Sequence, residues 1–548
     1  MTSGVTDSRA AARPVAGTGA PAAVLLATVP SDGAGPAALL PWESSTLLAR
    51  AVEQYSSLGV AAFRVVTRQE WERDVADAVG GAAEVAVSAG AAEDLRIVAE
   101  TAREVRGALI VADAAVVMQR GALANLVADP RVATGIAVAR NWARRRLAPR
   151  VRERRSRVMS AASPFHAVRR PNGAFLGVLK VGPGDGESFV RVAERLAALR
   201  ASPPAAWTAA FDGRWERRLA NAEDPRNVGR HRAAALEEVA SLLVTGLVRE
   251  GVHVSTRHLN RLFWARPLTH EAAAAAAQEI RTIDEDRLLL DAAVKTNDGF
   301  FTTFLVSPYS RFIARWAGRR GLTPNQVTTA SLMLGLVAAA AFATGERWAL
   351  IAGAVLLQLS FTLDCVDGQL ARYTLRFSNL GAWLDSIFDR AKEYAVYAGL
   401  AIGAAESVWL LAGCALALQT VRHMIYVAYK DTKPRPELPP QPPIEQPGDR
   451  VGAGAALDEE DEEQPEEQPA PPARSLPQRA MALWRAVERR GVGAWPRKIL
   501  VLPIGERFAA ISVTAALWGP RTTFVVLLVW GGFAALYTFS GRVLRSVA

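Results

Sequence analysis

The sequence predicts a multi-domain chain: an N-terminal α/β domain followed by an all-α, six-helix transmembrane domain. Three observations carry this. Short apolar runs alternate with helical patterns over the first 290 residues; long charge-free runs fill the remainder; and a Pro/Glu-rich stretch interrupts those runs at 431–475. Half of the 548 residues are hydrophobic, yet the formal net charge is +10, a balance that suits a protein lying against anionic lipid. Charge alone would also admit nucleic acid. No helix-turn-helix, zinc or RNA-binding signature accompanies it, so no nucleic-acid partner is expected. Cys365 and Cys414 both fall in apolar stretches and suggest no disulfide framework.

Residues 1–22 are rich in Ala, Gly, Pro and Ser without an apolar core, which reads as a disordered N-terminus without a signal peptide. Residues 23–290 form the expected soluble α/β domain. Ala23 to Ala27 is a buried-strand signal, a helix follows around Ser45 to Leu58, and Phe63 to Thr67 is a second strand. Ala108 to Val117 is another strand, with Asp113 near its end. Alternating strands and helices imply a layered fold. Arg140 to Arg157 holds nine arginines, read either as an anionic-lipid patch or nucleotide lid, or as a solvated helix face. His166 and His231 lack companions at metal-ligand spacing and read as structural.

Six apolar runs locate the spans: Val327 to Thr344, Trp348 to Leu363, Tyr394 to Ala405, Ser407 to Val421, Phe508 to Gly519 and Thr522 to Gly541. Several fall short of the roughly 20 residues a span needs, so they must extend into flanking charged sequence. Ser307 to Gly321 alternates aromatic residues with arginines at helical spacing, as an interfacial helix does. Thr323-Pro324-Asn325 then opens the first span, with Pro324 suited to a helix start. Residues 431–475 read as a disordered loop that buries no core, and 476–548 as a second interfacial helix plus the last two spans. Arginine and lysine concentrate at one end of the spans, while the other end carries only Arg347, Glu406 and Arg521. A multi-pass protein of the cell membrane with both termini cytoplasmic is therefore expected.

Four aspartates interrupt the apolar pattern: Asp364, Asp367, Asp385 and Asp389. Ionisable residues at membrane depth are costly and functional by default, about 2.5–3.5 kcal/mol each on insertion scales. Asp364 and Asp367 are i and i+3; Asp385 and Asp389 are i and i+4, so each pair shares a helix face. Gly381 joins the second stripe, Gly368 and Ala371 allow close approach on the first, and Arg372 offers phosphate a cation. All-carboxylate donors suit Mg²⁺ or Mn²⁺. A polar network gluing helices, or a coupling-ion site in a cation-coupled transporter, is the alternative.

The run Asp-x2-Asp-Gly-x2-Ala-Arg-x8-Gly-x3-Asp-x3-Asp resembles the signature of the CDP-alcohol phosphotransferase (CDP-alcohol phosphatidyltransferase) family, with all eight signature residues present. The resemblance covers 295–430, with 506–545 matching more loosely. It implies a six-helix membrane enzyme that moves a phosphoalcohol from a CDP-alcohol to an acceptor hydroxyl and releases CMP, as in phospholipid biosynthesis. It also implies that Asp364, Asp367, Asp385 and Asp389 hold two divalent ions, with Asp389 also the base. Gly368, Ala371, Arg372 and Gly381 would then line the nucleotide pocket on the cytoplasmic side, and Asn325 would either join them or only cap its helix. Arg422, with His423 and Lys392, is the candidate contact for a phosphorylated acceptor, or else a topology-setting charge. A homodimer is compatible with this reading. The 23–290 layout resembles nucleotidyltransferases, although Ala27 to Glu43 lacks the cation such enzymes place in their phosphate loop and Asp113 matches their metal aspartate only by position. A degenerate regulatory or scaffolding domain is expected; the alternative is a bifunctional cytidylyltransferase/phosphotransferase making a soluble phosphodiester.

Overall fold

A computed structural model describes residues 19–140, 148–211, 216, 228–259, 262–294, 299–432, 443–446 and 499–547. The chain divides into two compact units, one built on 1–288 with 437–459, the other on 289–436 with 460–548.

The first unit is built on a nine-stranded mixed sheet. Its strands are β1 Ala22–Leu26, β2 Ala62–Thr67, β3 Glu84–Val87, β4 Leu109–Asp113, β5 Gly135–Ala139, β6 Arg150–Arg154, β7 Arg157–Ala161, β8 Gly173–Val181 and β9 Ser255–His258. Their order is β3-β2-β1-β4-β8-β5-β9-β7-β6. β1 pairs in parallel with β2 and β4, while β8 runs antiparallel to β4 and β5. Side chains alternate between faces along a strand, so Ala22, Val24 and Leu26 enter one apolar cluster, Ala23 and Leu25 the other. With helices over both faces, a buried parallel strand reads as an unbroken apolar run. The expected helix spans Leu47–Ser56, started by Thr46, whose Oγ1 accepts from the Ala49 N–H at 3.2 Å.

Two expectations change in this unit. The arginine-rich stretch is no solvated helix from residue 150 onward. β6 and β7 form a hairpin there, turned by Arg155 (φ 52°) and Ser156 (φ 60°), the two left-handed positions such tight turns require. Val151 and Val158 point into the core, so strand alternation prevails over the run of charge; residues 141–147 lie outside the described residues. The Pro/Glu-rich segment was expected to bury nothing. Within it, residues 443–446 place Ile444 at 2% exposure inside the apolar cluster around Val239 and Trp207. Residues 433–442 and 447–475 of that segment, residues 476–498 of the second interfacial helix expected at Leu476 to Leu502, and residues 1–18 lie outside the described residues.

The second unit is helical. α1 Ser307–Arg319 precedes α2 Pro324–Ala343, α3 Arg347–Thr374, α4 Asn379–Ile402, α5 Trp409–Thr432, α6 Ile504–Trp518 and α7 Pro520–Val547. α1 exposes Tyr309, Phe312 and Trp316 while burying Ser310, Ala314 and Ala317, the one-sided pattern of an interfacial helix. Thr323 and Gln326 form a reciprocal capping box at the start of α2, with Pro324 in the first turn. Among the described residues, α2, α3, α5 and α7 are long and apolar enough to cross a membrane. The six expected runs all fall on helices, but α6 has only 15 residues and α4 carries the second half of the acidic motif. Both α3 and α4 pack on α2 rather than chiefly on each other. Small residues allow the approach: a Cβ at Gly399 would stand 2.2 Å from the Ala339 carbonyl oxygen, and one at Gly353 2.9 Å from the Phe342 ring.

Candidate active site

The site forms where the chain reverses between α3 and α4. α3 continues without a break past the apolar run through Asp364 and Asp367 and stops at Leu375, a left-handed cap (φ 58°). Arg376 N–H reaches back to the Ala371 carbonyl at 3.0 Å. Three residues beyond Leu375, Ser378 caps α4, its Oγ accepting from the Gly381 N–H at 3.1 Å. The two acidic faces are thereby brought together over α2.

Carboxylate oxygens of Asp364, Asp367 and Asp385 lie within 4.8 Å of one another. Asp367 is 5% exposed, and its Oδ2 is buried with no hydrogen-bond partner. Three converging hard oxygen donors, one of them unsatisfied, fit a divalent cation of the Mg²⁺ or Mn²⁺ type. Asp389 stands outside that trio. It connects through Lys392, whose Nζ contacts Asp364 Oδ1, lies 3.3 Å from Asp389 Oδ1 and donates to Ser331 Oγ at 3.0 Å. Lys392 is completely buried, so the expectation that it meets an acceptor gives way to a place inside the acidic cluster. Ser331 and Ser360 clasp α2 to α3: each hydroxyl donates to the other's carbonyl, at 2.8 and 2.7 Å.

The remaining signature positions surround this cluster. A Cβ at Gly381 would lie 2.7 Å from Asn325 Oδ1, so the glycine lets the Asn325 amide rest against the start of α4. Gly368 faces the Arg372 guanidinium, with a Cβ there 3.4 Å from Nη1. Arg372 Nε donates to the Ala293 carbonyl, which orients the guanidinium, and Ala371 is half-buried beside it.

One helical turn past Asp389 lies a network that the sequence pattern did not reveal. Glu393 is fully buried and accepts from Arg507 at 2.8 and 3.2 Å, from Arg390 Nη1 at 2.8 Å and from Tyr397 Oη at 3.0 Å. Arg422 is within electrostatic reach of Arg507, Glu393 and Arg390, and its Nη2 donates to the Val501 carbonyl at 2.7 Å. The i,i+3 and i,i+4 spacing of Arg390, Glu393 and Tyr397 was a usable signal; Arg507, on α6, gave none. Three arginines against one glutamate leave the network with a net positive charge.

In the first unit, Asp113 does close β4 as expected, but Arg266 occupies it at 2.5 Å and also holds Glu238 at 3.1 Å. Burial pulls the Arg266 pKa down, yet Asp113 and Glu238 outweigh it and hold the guanidinium firmly charged. The loop from Ala27 to Glu43, which has no arginine or lysine, carries Asp32, bonded to His270 Nδ1 at 2.8 Å. His166 lies buried against Ser163 Oγ at 2.6 Å.

Three carboxylates converging from two packed helices have the geometry of a divalent-cation site. Residues 321–438 match the sequence model of the CDP-alcohol phosphatidyltransferase family. The bifunctional IPC transferase and DIPP synthase of Thermococcus kodakarensis is 33% identical over 184 residues, which are 33% of this chain and 38% of that protein. The phosphatidylinositol phosphate synthase of Streptomyces avermitilis is 35% identical over 104 residues, 19% of this chain and 39% of that protein. The match therefore spans well under two thirds of either relative. Among solved structures, the inositol-1-phosphate CTP transferase from T. maritima is 12% identical, with a TM-score of 0.33, covering 47% of this chain and 95% of that one.

Proposed function

We propose that the chain transfers a phosphoalcohol group, most simply phosphatidyl, from a CDP-alcohol to an acceptor hydroxyl with release of CMP. The convergence of Asp364, Asp367 and Asp385 from two helices carries this reading. These three, with Asp389, would hold two divalent ions, whose chemistry when bound is to offset charge on the pyrophosphate and on the leaving CMP. Asn325, Gly368, Ala371, Arg372 and Gly381 line the nucleotide side. Asp389 takes the proton of the acceptor hydroxyl as its oxygen attacks the β-phosphorus; the bond to CMP breaks and CMP leaves with the electron pair. Arg372, fixed by the Ala293 carbonyl, orients phosphate oxygens without reorganising during the reaction. In this reading the active site and both termini face the cytoplasm, the side on which arginine and lysine concentrate.

For the acceptor, Arg422 with Arg390 and Arg507 supplies a positive wall suited to a phosphate monoester. Relatives named as phosphatidylinositol phosphate and archaetidylinositol phosphate synthases support inositol phosphate as that acceptor. The test is CMP release from membranes given Mg²⁺, CDP-diacylglycerol and a panel of acceptors. Inositol phosphate should be used well above inositol, and Asp389→Asn should cut turnover at least 100-fold while CDP binding survives. Turnover retained in that variant removes Asp389 from the base role.

A second reading, that the first unit makes its own CDP-alcohol, draws support from the relatives' bifunctional names. Against it stands Arg266, which fills the carboxylate position a metal would need. The first unit is assigned a non-catalytic, regulatory role; pyrophosphate release from CTP and an alcohol phosphate by the full chain would reverse that assignment.

A further inference from the structure

Among the described residues, Lys392 is a buried charge at the site that the proposed reaction leaves without a task. Its ammonium contacts Asp364, approaches Asp389 and donates to Ser331, so it joins α4 to both α2 and α3. Its stem crosses Gly335, where a Cβ would stand 2.9 Å from Lys392 Cγ; the small residue on α2 makes room for it. A buried ammonium persists only among anions, and clustered carboxylates repel one another unless a cation stands between them. Asp364 belongs to both arrangements: it holds Lys392, and it is one of the three carboxylates that converge with Asp367 and Asp385.

We infer that Lys392 is a built-in counter-cation, a positioning residue that keeps Asp364 and Asp389 aimed into the site before a divalent ion arrives and that weakens the site's grip on that ion. The inference rests on the proposed metal-dependent reading. Like charges that share a carboxylate compete, so occupancy of the three-aspartate site by a divalent ion must be less favourable with the ammonium present. A site held open in this way binds its ion with only moderate affinity yet keeps its shape when empty.

The test uses the full-length protein in detergent or nanodiscs, with Mn²⁺ binding followed by electron paramagnetic resonance and melting recorded with and without Mn²⁺. Lys392→Met should melt lower than wild type without metal, bind Mn²⁺ about tenfold more tightly, and gain more in Tm on adding it. Lys392→Gln, which keeps a donor on a shorter stem, carries the same comparison if the methionine variant does not fold. A lysine that merely packs would lower the melting temperature and leave Mn²⁺ affinity unmoved; that result, or weaker binding, overturns the inference alone. Wild type that binds no Mn²⁺, or binds it undiminished in Asp367→Asn, overturns the proposed function and this inference with it.

Discussion

Gly381 and Asn325 show how much one missing methyl group decides. The sequence assigned Gly381 to the nucleotide pocket from its place in the signature and left Asn325 between that role and helix capping. The structure puts them in contact and gives the cap to Thr323 and Gln326. Gly381→Ala would place a Cβ 2.7 Å from Asn325 Oδ1 and force the amide aside. The expected outcome is a rise in KM for the CDP-alcohol with little loss of stability. Combining it with Asn325→Ala should recover part of the loss, because the clash disappears; full additivity in that double-mutant cycle would show the contact to be idle. Lys392 teaches the converse lesson. As one basic side chain among many it suggested a phosphate contact, but on a helix its direction is set by position, and three residues after Asp389 that direction is inward.

At the scale of elements, α2 organises the site although it contributes none of the aspartates. α3 and α4 both lean on it, Ser331 clasps one and receives the lysine of the other, and its small residues set the approach. The acidic register was legible from spacing alone, since i,i+3 and i,i+4 pairs share a face in any helix. The joint between α4 and α6 was not: Glu393 and Arg507 are 114 residues apart. Glu393→Gln should destabilise the helical unit by about 3–5 kcal/mol, the usual cost of leaving a buried charge without its partner. Thermal melting in detergent checks this, and a loss under about 1 kcal/mol would mean that water or lipid headgroups already solvate Arg390 and Arg507.

On the scale of the whole molecule, composition separated an α/β unit from a helical one, and the described topology agrees with that division. What composition concealed was the fate of the Pro/Glu-rich segment. Low hydrophobicity argues against a core of its own, yet one aliphatic residue can enter a core that already exists. Ile444→Asp should lower the melting temperature of the first unit and expose the segment to protease, at a cost of about 2–5 kcal/mol for a buried aliphatic lost to a smaller or polar side chain. Unchanged proteolysis would show that Ile444 is dispensable there. Local order alone determined the strands, the apolar helices, the paired aspartates and their fitness for a divalent ion, because each follows from periodicity within a few turns of chain. Only the tertiary structure decided that Lys392 stands beside two of those acids, that Arg507 closes on Glu393 and that Arg266 occupies Asp113. Electrostatic partners are chosen by distance in space, and nothing in a residue's neighbours along the chain records which distant charge folding will bring to it.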